Sequence, residues 1–280
     1  MSKIAIITDS SAYLPPDLVK KQGIEVMPLT IIWGKETLLD DVDITPDEFL
    51  VRLARDPVHP STTQPNPEDF LAIYQRLAPK VDGIVNVLIS SALSGTVNSA
   101  EAASNDFHAV PVRTVDSRLT TMGLGFAVLA ASRAAQDGKS IDQVVEIATE
   151  EAAKSRVFFV VNTLDYLHKG GRIGGASKFL GSALNLKPLL HLNGGIVDSL
   201  EKVRTKSKAV ERMLEVGAEY AAGRRVRASV IHTGVPDEAS LLAEEVAERF
   251  DCVEQFITGI SPAISVHVGP GALGLCICPM

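Results

Sequence analysis

Cysteine, aromatic side chains, long apolar runs and basic charge are all scarce in this chain of 280 residues. Its three cysteines (Cys252, Cys276, Cys278) are odd in number and gathered late, which is no disulfide framework and fits a reducing compartment. No CxxC and no HExxH occurs among the six histidines, so the familiar zinc patterns are missing. The longest weakly polar stretch, Gly123 to Ala131, falls far short of the roughly 20 residues that span a bilayer. The opening MSKIAIITDSS has one lysine and too short an apolar run for a secretory signal. A soluble, cytoplasmic chain is expected. With 34 acidic against 27 basic side chains the net charge is -7, and such a surface repels nucleic acid unless its basic residues share one face.

What is present is material for a core. Apolar residues make up 46% of the chain, and its length predicts one large or two ordinary domains. The first half alternates strand and helix signals. Lys3–Thr8 (KIAIIT) and Gly83–Ile89 (GIVNVLI) read as buried parallel strands, with Pro111–Val115 a third. Thr45-Pro46-Asp47-Glu48 and Ser140-Ile141-Asp142-Gln143 are capping boxes that start helices, and Asn66-Pro67-Glu68-Asp69 opens another. A small-residue helix is expected from about Gly95. This rhythm predicts an α/β fold, an open parallel sheet with helices on both faces over residues 1–155. Ligands of such sheets sit at the carboxyl ends of the strands.

Over residues 156–280 the order changes. Strands are expected at Val157–Val161, Pro188–Leu192, Ile196–Val203, Ala228–His232, Val253–Ile257 and Ala272–Cys278, with helices near Ser207–Ala222 and Pro236–Phe250. That order suggests a second, mixed-sheet α/β domain, with the ligand between the two.

Several polar turns could carry chemistry. In Thr8-Asp9-Ser10-Ser11 the aspartate most simply satisfies its own backbone. Ser61-Thr62-Thr63-Gln64-Pro65 is a hydroxyl cluster before the Asn66 cap. Ser90-Ser91-Ala92-Leu93-Ser94-Gly95-Thr96 crowds four hydroxyls onto a strand-to-helix turn, where one cap would need one, and a helix N-terminus there suits an anion. Lys169-Gly170-Gly171-Arg172-Ile173-Gly174-Gly175 resembles a phosphate loop but lacks the Walker spacing. Its glycines allow close backbone approach, and Arg172 is a candidate forked donor. Gly269-Pro270-Gly271-Ala272-Leu273-Gly274 spells GxGxxG, yet a strand rather than a helix should follow, so the dinucleotide reading fails. His267 precedes it, expected at a strand end. A basic group (Lys202, Arg204, Lys206, Lys208, then Arg224, Arg225, Arg227) reads first as a solvated flank and second as a docking surface for an acidic partner. The residues alone leave open a serine hydrolase using Ser94 and His267, since such sites are recognised by geometry, or an enzyme for another small anion.

Taken together these turns resemble the DegV-like family of bacterial fatty-acid-binding proteins. The similarity runs through TDSS at 8–11, TTQP at 62–65, SSALSGT at 90–96, VDSR at 115–118, KGGRIG at 169–174, KP at 187–188 and HVGPGALG at 267–274. The resemblance implies a two-domain protein with a long-chain fatty acid between the domains. It implies a carboxylate held by Thr62 and Ser94, with Thr63, Gly95, His267 and Arg172 around it. It also implies a lipid-binding subunit with no turnover of its own, needing neither cofactor nor metal. The carboxylate would be presented to a separate ATP-binding fatty-acid kinase subunit, which forms an acyl phosphate for phospholipid synthesis. Thr63 stands where serine is common, Asn66 replaces a frequent serine, and Val97 sits where an aromatic is usual, a change expected to reshape the pocket.

Overall fold

A computed structural model describes residues 3–180 and 187–280. In chain order its regular elements begin with β1 (Ile4–Asp9), α1 (Pro16–Gln22), β2 (Glu25–Met27), β3 (Thr30–Trp33), β4 (Glu36–Leu39), α2 (Pro46–Leu53), β5 (Ser61–Thr63) and α3 (Pro67–Leu77). They continue with β6 (Gly83–Leu88), α4 (Thr96–Asn105), β7 (Val112–Asp116), α5 (Thr121–Gln136) and α6 (Ile141–Lys154). The rest of the chain supplies β8 (Arg156–Val160), α7 (Asp165–Lys169), β9 (Lys187–Asn193), β10 (Ile196–Val203) and α8 (Lys206–Ala221). Last come β11 (Val226–His232), α9 (Pro236–Arg249), β12 (Cys252–Gly259), α10 (Pro262–Val268) and β13 (Leu273–Pro279).

The strands form three sheets. β2-β1-β6-β7 is all parallel, and β10-β9-β8-β13-β11-β12 is mixed, parallel only between β11 and β12. Helices cover both faces of the parallel sheet, as the βαβ rhythm requires. Alternation along each strand does the sorting. Ile4, Ile6, Val85 and Val87 face one core, with Phe126 of α5 and Val144 of α6. Ile7, Ile84 and Leu88 face the other, with Phe70 of α3 and Ala100 of α4. The capping signals work as read. Thr45 and Glu48 exchange bonds at 2.9 and 3.4 Å, and Ser140 and Gln143 at 3.0 and 3.3 Å.

The mixed sheet packs α8 and α9 on one face through Phe158, Val230 and Leu275. Its other face turns toward the parallel sheet, and α5 lies between them. Both sides of α5 are covered, so its residues Leu124, Phe126, Val128 and Leu129 are all buried. A helix apolar all round is a buried one. The stretch 123–131 is therefore the centre of the core, and no helix among the described residues is long and apolar enough to cross a membrane.

Three expectations change. The small antiparallel sheet β4-β3-β5 has no counterpart in the sequence reading. β5 takes Thr62 and Thr63 out of the loop assigned to them and pairs Thr62 with Ile31. His267 lies on α10 rather than at a strand end. Ser261-Pro262 begins that helix: the Ser261 hydroxyl accepts from the Ile264 N–H at 3.4 Å, and proline sits at the first helical position.

Candidate functional site

The TDSS turn holds the site from behind. Asp9, fully buried at the end of β1, accepts from the Ser11 N–H at 3.1 Å and the Ile89 N–H at 2.7 Å. The first bond is the expected local turn. The second pins the point where β6 runs into the SSALSG turn. Ser10 donates its hydroxyl to Asp40 at 2.6 Å and accepts from the Leu29 N–H at 3.0 Å. Asp40, also fully buried, accepts from the Ala263 N–H at 2.9 Å in the first turn of α10. Desolvation raises the Asp40 pKa to about 6, against the lowering effect of those donors.

In front of this scaffold the implied carboxylate residues come together. The Thr62 hydroxyl shares a 2.8 Å hydrogen bond with Nε2 of His267. Ser94 and Thr96 hydroxyls lie 2.9 Å apart at the start of α4. A Cβ at Gly95 would stand 3.0 Å from the Gln64 carboxamide and press on that side chain. Arg172 donates from Nε to the Leu93 carbonyl at 3.0 Å and from a terminal nitrogen to the Gly170 carbonyl at 2.9 Å. Gly170 backs onto His267, where a Cβ would fall 2.0 Å from Nδ1. Thr62, His267, Gly170, Arg172, Leu93 and Ser94 are thus one connected set. Thr63 and Gln64 at its edge are exposed.

Gly171 of KGGRIGG has no atom within 4 Å of a would-be Cβ, whereas Gly170, Gly174 and Gly175 serve close approach to protein. Gly174 (φ 48°) shows this again, since a Cβ there would lie 2.2 Å from the Val197 carbonyl of β10. Burial, and then the positive charge of Arg172 and the neighbouring His59, lower the His267 pKa to about 4, so the imidazole is neutral. Its partner is Thr62 and not Ser94, and among the described residues no carboxylate bonds its Nδ1. The Ser94–His267 pair of the hydrolase reading is absent.

Behind the polar set a cavity runs between the turn that leaves β6 and the inner face of the mixed sheet. It is narrow: about 70 Å³ admits the centre of a water-sized sphere, and the space free of atoms reaches about 850 Å³ only when open solvent at the mouth is counted. Thr62, Thr63, Ser94, Arg172 and His267 contribute its polar wall. Ile89, Val157, Phe159, Leu192, Ile231 and Ile264 are among the apolar residues of its interior. The carboxyl end of β6 opens here, as expected of a parallel sheet. Val97 does not line the cavity. It is buried in the core shared by α3 and α4, so its substitution bears on that core and not on the pocket. Part of the basic group is paired: Lys206 meets Glu238 at 2.7 Å, Arg227 pairs with Glu151 and Glu254, and Arg225 approaches Asp251 at 3.9 Å. The residues missed from sequence are Asp40, Thr120 and the apolar wall; nothing local distinguished them from ordinary core.

Known proteins share this fold. A protein of Streptomyces coelicolor containing the DegV domain is 42% identical over 277 residues, covering 98% of both chains. Protein DegV of Bacillus subtilis is 33% identical, covering 98% of this chain and 99% of its own. Among solved structures, a DegV family protein from Thermus thermophilus, described for its fatty acid binding, matches with TM-score 0.94 and 36% identity over 99% of this chain and 100% of its own. DegV of Bacillus subtilis, described as a fatty acid binding protein, matches with TM-score 0.93 and 31% identity over the whole of both chains. A stearic acid-binding protein of Eubacterium ventriosum matches with TM-score 0.90 and 26% identity over 100% of this chain and 98% of its own. The family model for DegV, described as an uncharacterised protein family, spans residues 3–280, and on that match this chain belongs to the DegV family.

Proposed function

We propose that this protein binds one long-chain fatty acid, tail in the cavity and carboxylate at Thr62 and Ser94, and presents that carboxylate to a separate ATP-dependent kinase subunit. The observation that carries the lipid reading is the join between an apolar cavity and a connected polar set that includes Thr62, Ser94, Arg172 and His267. The fatty-acid-binding structures it resembles support the same reading.

The energetics fit a carrier. About 15 buried methylenes contribute roughly 12 kcal/mol gross at about 0.8 kcal/mol each, and ordering and association offset much of that. The tail supplies the affinity, and the head group need only be satisfied, since a buried carboxylate without donors is expensive. Two hydroxyls can satisfy it while leaving an oxygen free to attack a nucleotide's γ-phosphate. The chain itself then has no turnover, and phosphorylation requires the partner and ATP. Residues around Thr63 and Gln64, exposed beside the polar set, are where that partner would reach the carboxylate.

Native mass spectrometry before and after solvent extraction tests the first half. A co-purifying mass of fatty-acid size, lost on extraction, is expected. A ligand-free protein that takes up neither palmitate nor oleate overturns it. The second half is tested by adding a fatty-acid kinase ATP-binding subunit and ATP: acyl phosphate should form only when both proteins are present.

A further inference from the structure

Two buried polar atoms without a hydrogen-bond partner belong to residues of the cavity wall, Nδ1 of His267 and Oγ1 of Thr120. The first lies in the carboxylate set. Thr120 makes no side-chain bond with that set; it stands at the start of α5 and is only 7% exposed.

A threonine in the cap position of a helix ordinarily accepts from an N–H of the first turn. Thr120 occupies that position and makes no such bond. Thr121, which follows it, holds φ 53°. For a β-branched residue this left-handed conformation is an outlier, and strain of that kind concentrates at functional sites. The Thr121 hydroxyl donates to the Thr120 carbonyl at 2.7 Å and lies 3.5 Å from the thiol of Cys276. A strained first turn thus keeps one hydroxyl out of its own helix, on a residue of the cavity wall. Buried hydroxyls are rarely left without a partner, and the partner left to this one is the occupant of the cavity.

We propose that Thr120 is a specificity-determining residue whose hydroxyl bonds an oxygen substituent on the acyl chain, so that the site takes hydroxy or keto fatty acids substituted at the depth of Thr120. This rests on the fatty-acid reading above. A chain carrying oxygen at that depth gains a hydrogen bond, whereas an unsubstituted chain buries the hydroxyl unpaired. Sites built to bond a substrate hydroxyl discriminate against analogues that lack it.

The test is a displacement titration of the whole, delipidated protein with stearate and a series of monohydroxystearates differing in the position of the hydroxyl. The wild type should favour one position over its neighbours by about ten-fold. Thr120→Val should lose that preference, and Thr120→Ser should keep it. A flat profile in the wild type, or one unchanged in Thr120→Val, overturns the inference. A flat profile is also the outcome if an ordered water partners the hydroxyl. Should Thr120→Val fail to fold, Thr120→Ala takes its place with the same expected loss. Failure of stearate itself to bind would instead sink the fatty-acid reading, so the two failures are distinguishable.

Discussion

The hydroxyl of Thr62 and Nε2 of His267 meet at 2.8 Å although 205 positions separate them in the chain. That bond ties the edge strand β5 to helix α10 across the cavity mouth. It also brings a threonine implied in carboxylate binding against a histidine that the protein keeps neutral.

The neutrality has a pH signature. His267 titrates near 4 when folded, against about 6.5 in an unfolded chain, so below 6.5 the unfolded state binds the proton first. Its contribution to stability is whole above pH 6.5 and is lost as pH falls toward 4, up to about 3 kcal/mol. Asp40, raised to about 6, works in the opposite sense, so a single stability curve mixes the two. Urea unfolding of wild type and His267→Gln at pH 7.5 and 4.5 separates them. The gap between the two proteins should shrink at pH 4.5, and an equal gap at both would refute the assignment.

Thr62 and Ser94 should matter more to chemistry than to binding. In Thr62→Ala with Ser94→Ala the tail still supplies the affinity, so lipid binding should weaken by no more than about ten-fold. Acyl-phosphate formation with the kinase subunit should fall much further, because the carboxylate is no longer held for transfer. A kinase rate equal to wild type would remove both residues from the proposed role.

Gly170→Ala tests the packing behind the imidazole. A Cβ at Gly170 would stand 2.0 Å from Nδ1 of His267, so the ring must leave Thr62. Overpacking of this kind costs about 1–3 kcal/mol. A lowered melting temperature together with weaker lipid binding is expected. Retention of both would mean that α10 yields easily, against the tight contact seen here.

Asp40→Ala should destabilise through α10. It leaves the Ser10 hydroxyl and the Ala263 N–H without their buried acceptor, and each orphaned group costs about 1–3 kcal/mol. The loss should be visible in denaturant midpoint and should carry lipid affinity down with it, since Ala263, Ile264 and His267 of α10 line the cavity. Destabilisation without loss of lipid binding would separate Asp40 from the site.

Local patterns made most of the elements legible. The strand Ile196–Val203 was read at its observed ends, because alternation and flanking glycines are local signals. The capping boxes at Thr45 and Ser140 are short-range chemistry and needed no tertiary context. The small sheet β4-β3-β5 escaped because three- and four-residue strands are too short to show a period. α10 escaped for a similar reason: its residues Pro262–Val268 are nearly all buried, and a short apolar run reads equally as strand or helix.

The amino-acid order alone determined which turns carry hydroxyls, glycines and the single arginine of KGGRIGG, and hence the family to which the chain belongs. It could not determine what those groups face. Thr62 meets His267, Arg172 meets Leu93 and Asp40 meets Ala263 only because two sheets close on α5, bringing segments distant in sequence within hydrogen-bond range. The cavity is likewise a product of that closure, since its wall draws residues from the mixed sheet, from β5, from the turn after β6 and from α5 and α10. Spacing along a chain sets local conformation, whereas contact across a core depends on how whole elements pack, and that was decided by the tertiary structure.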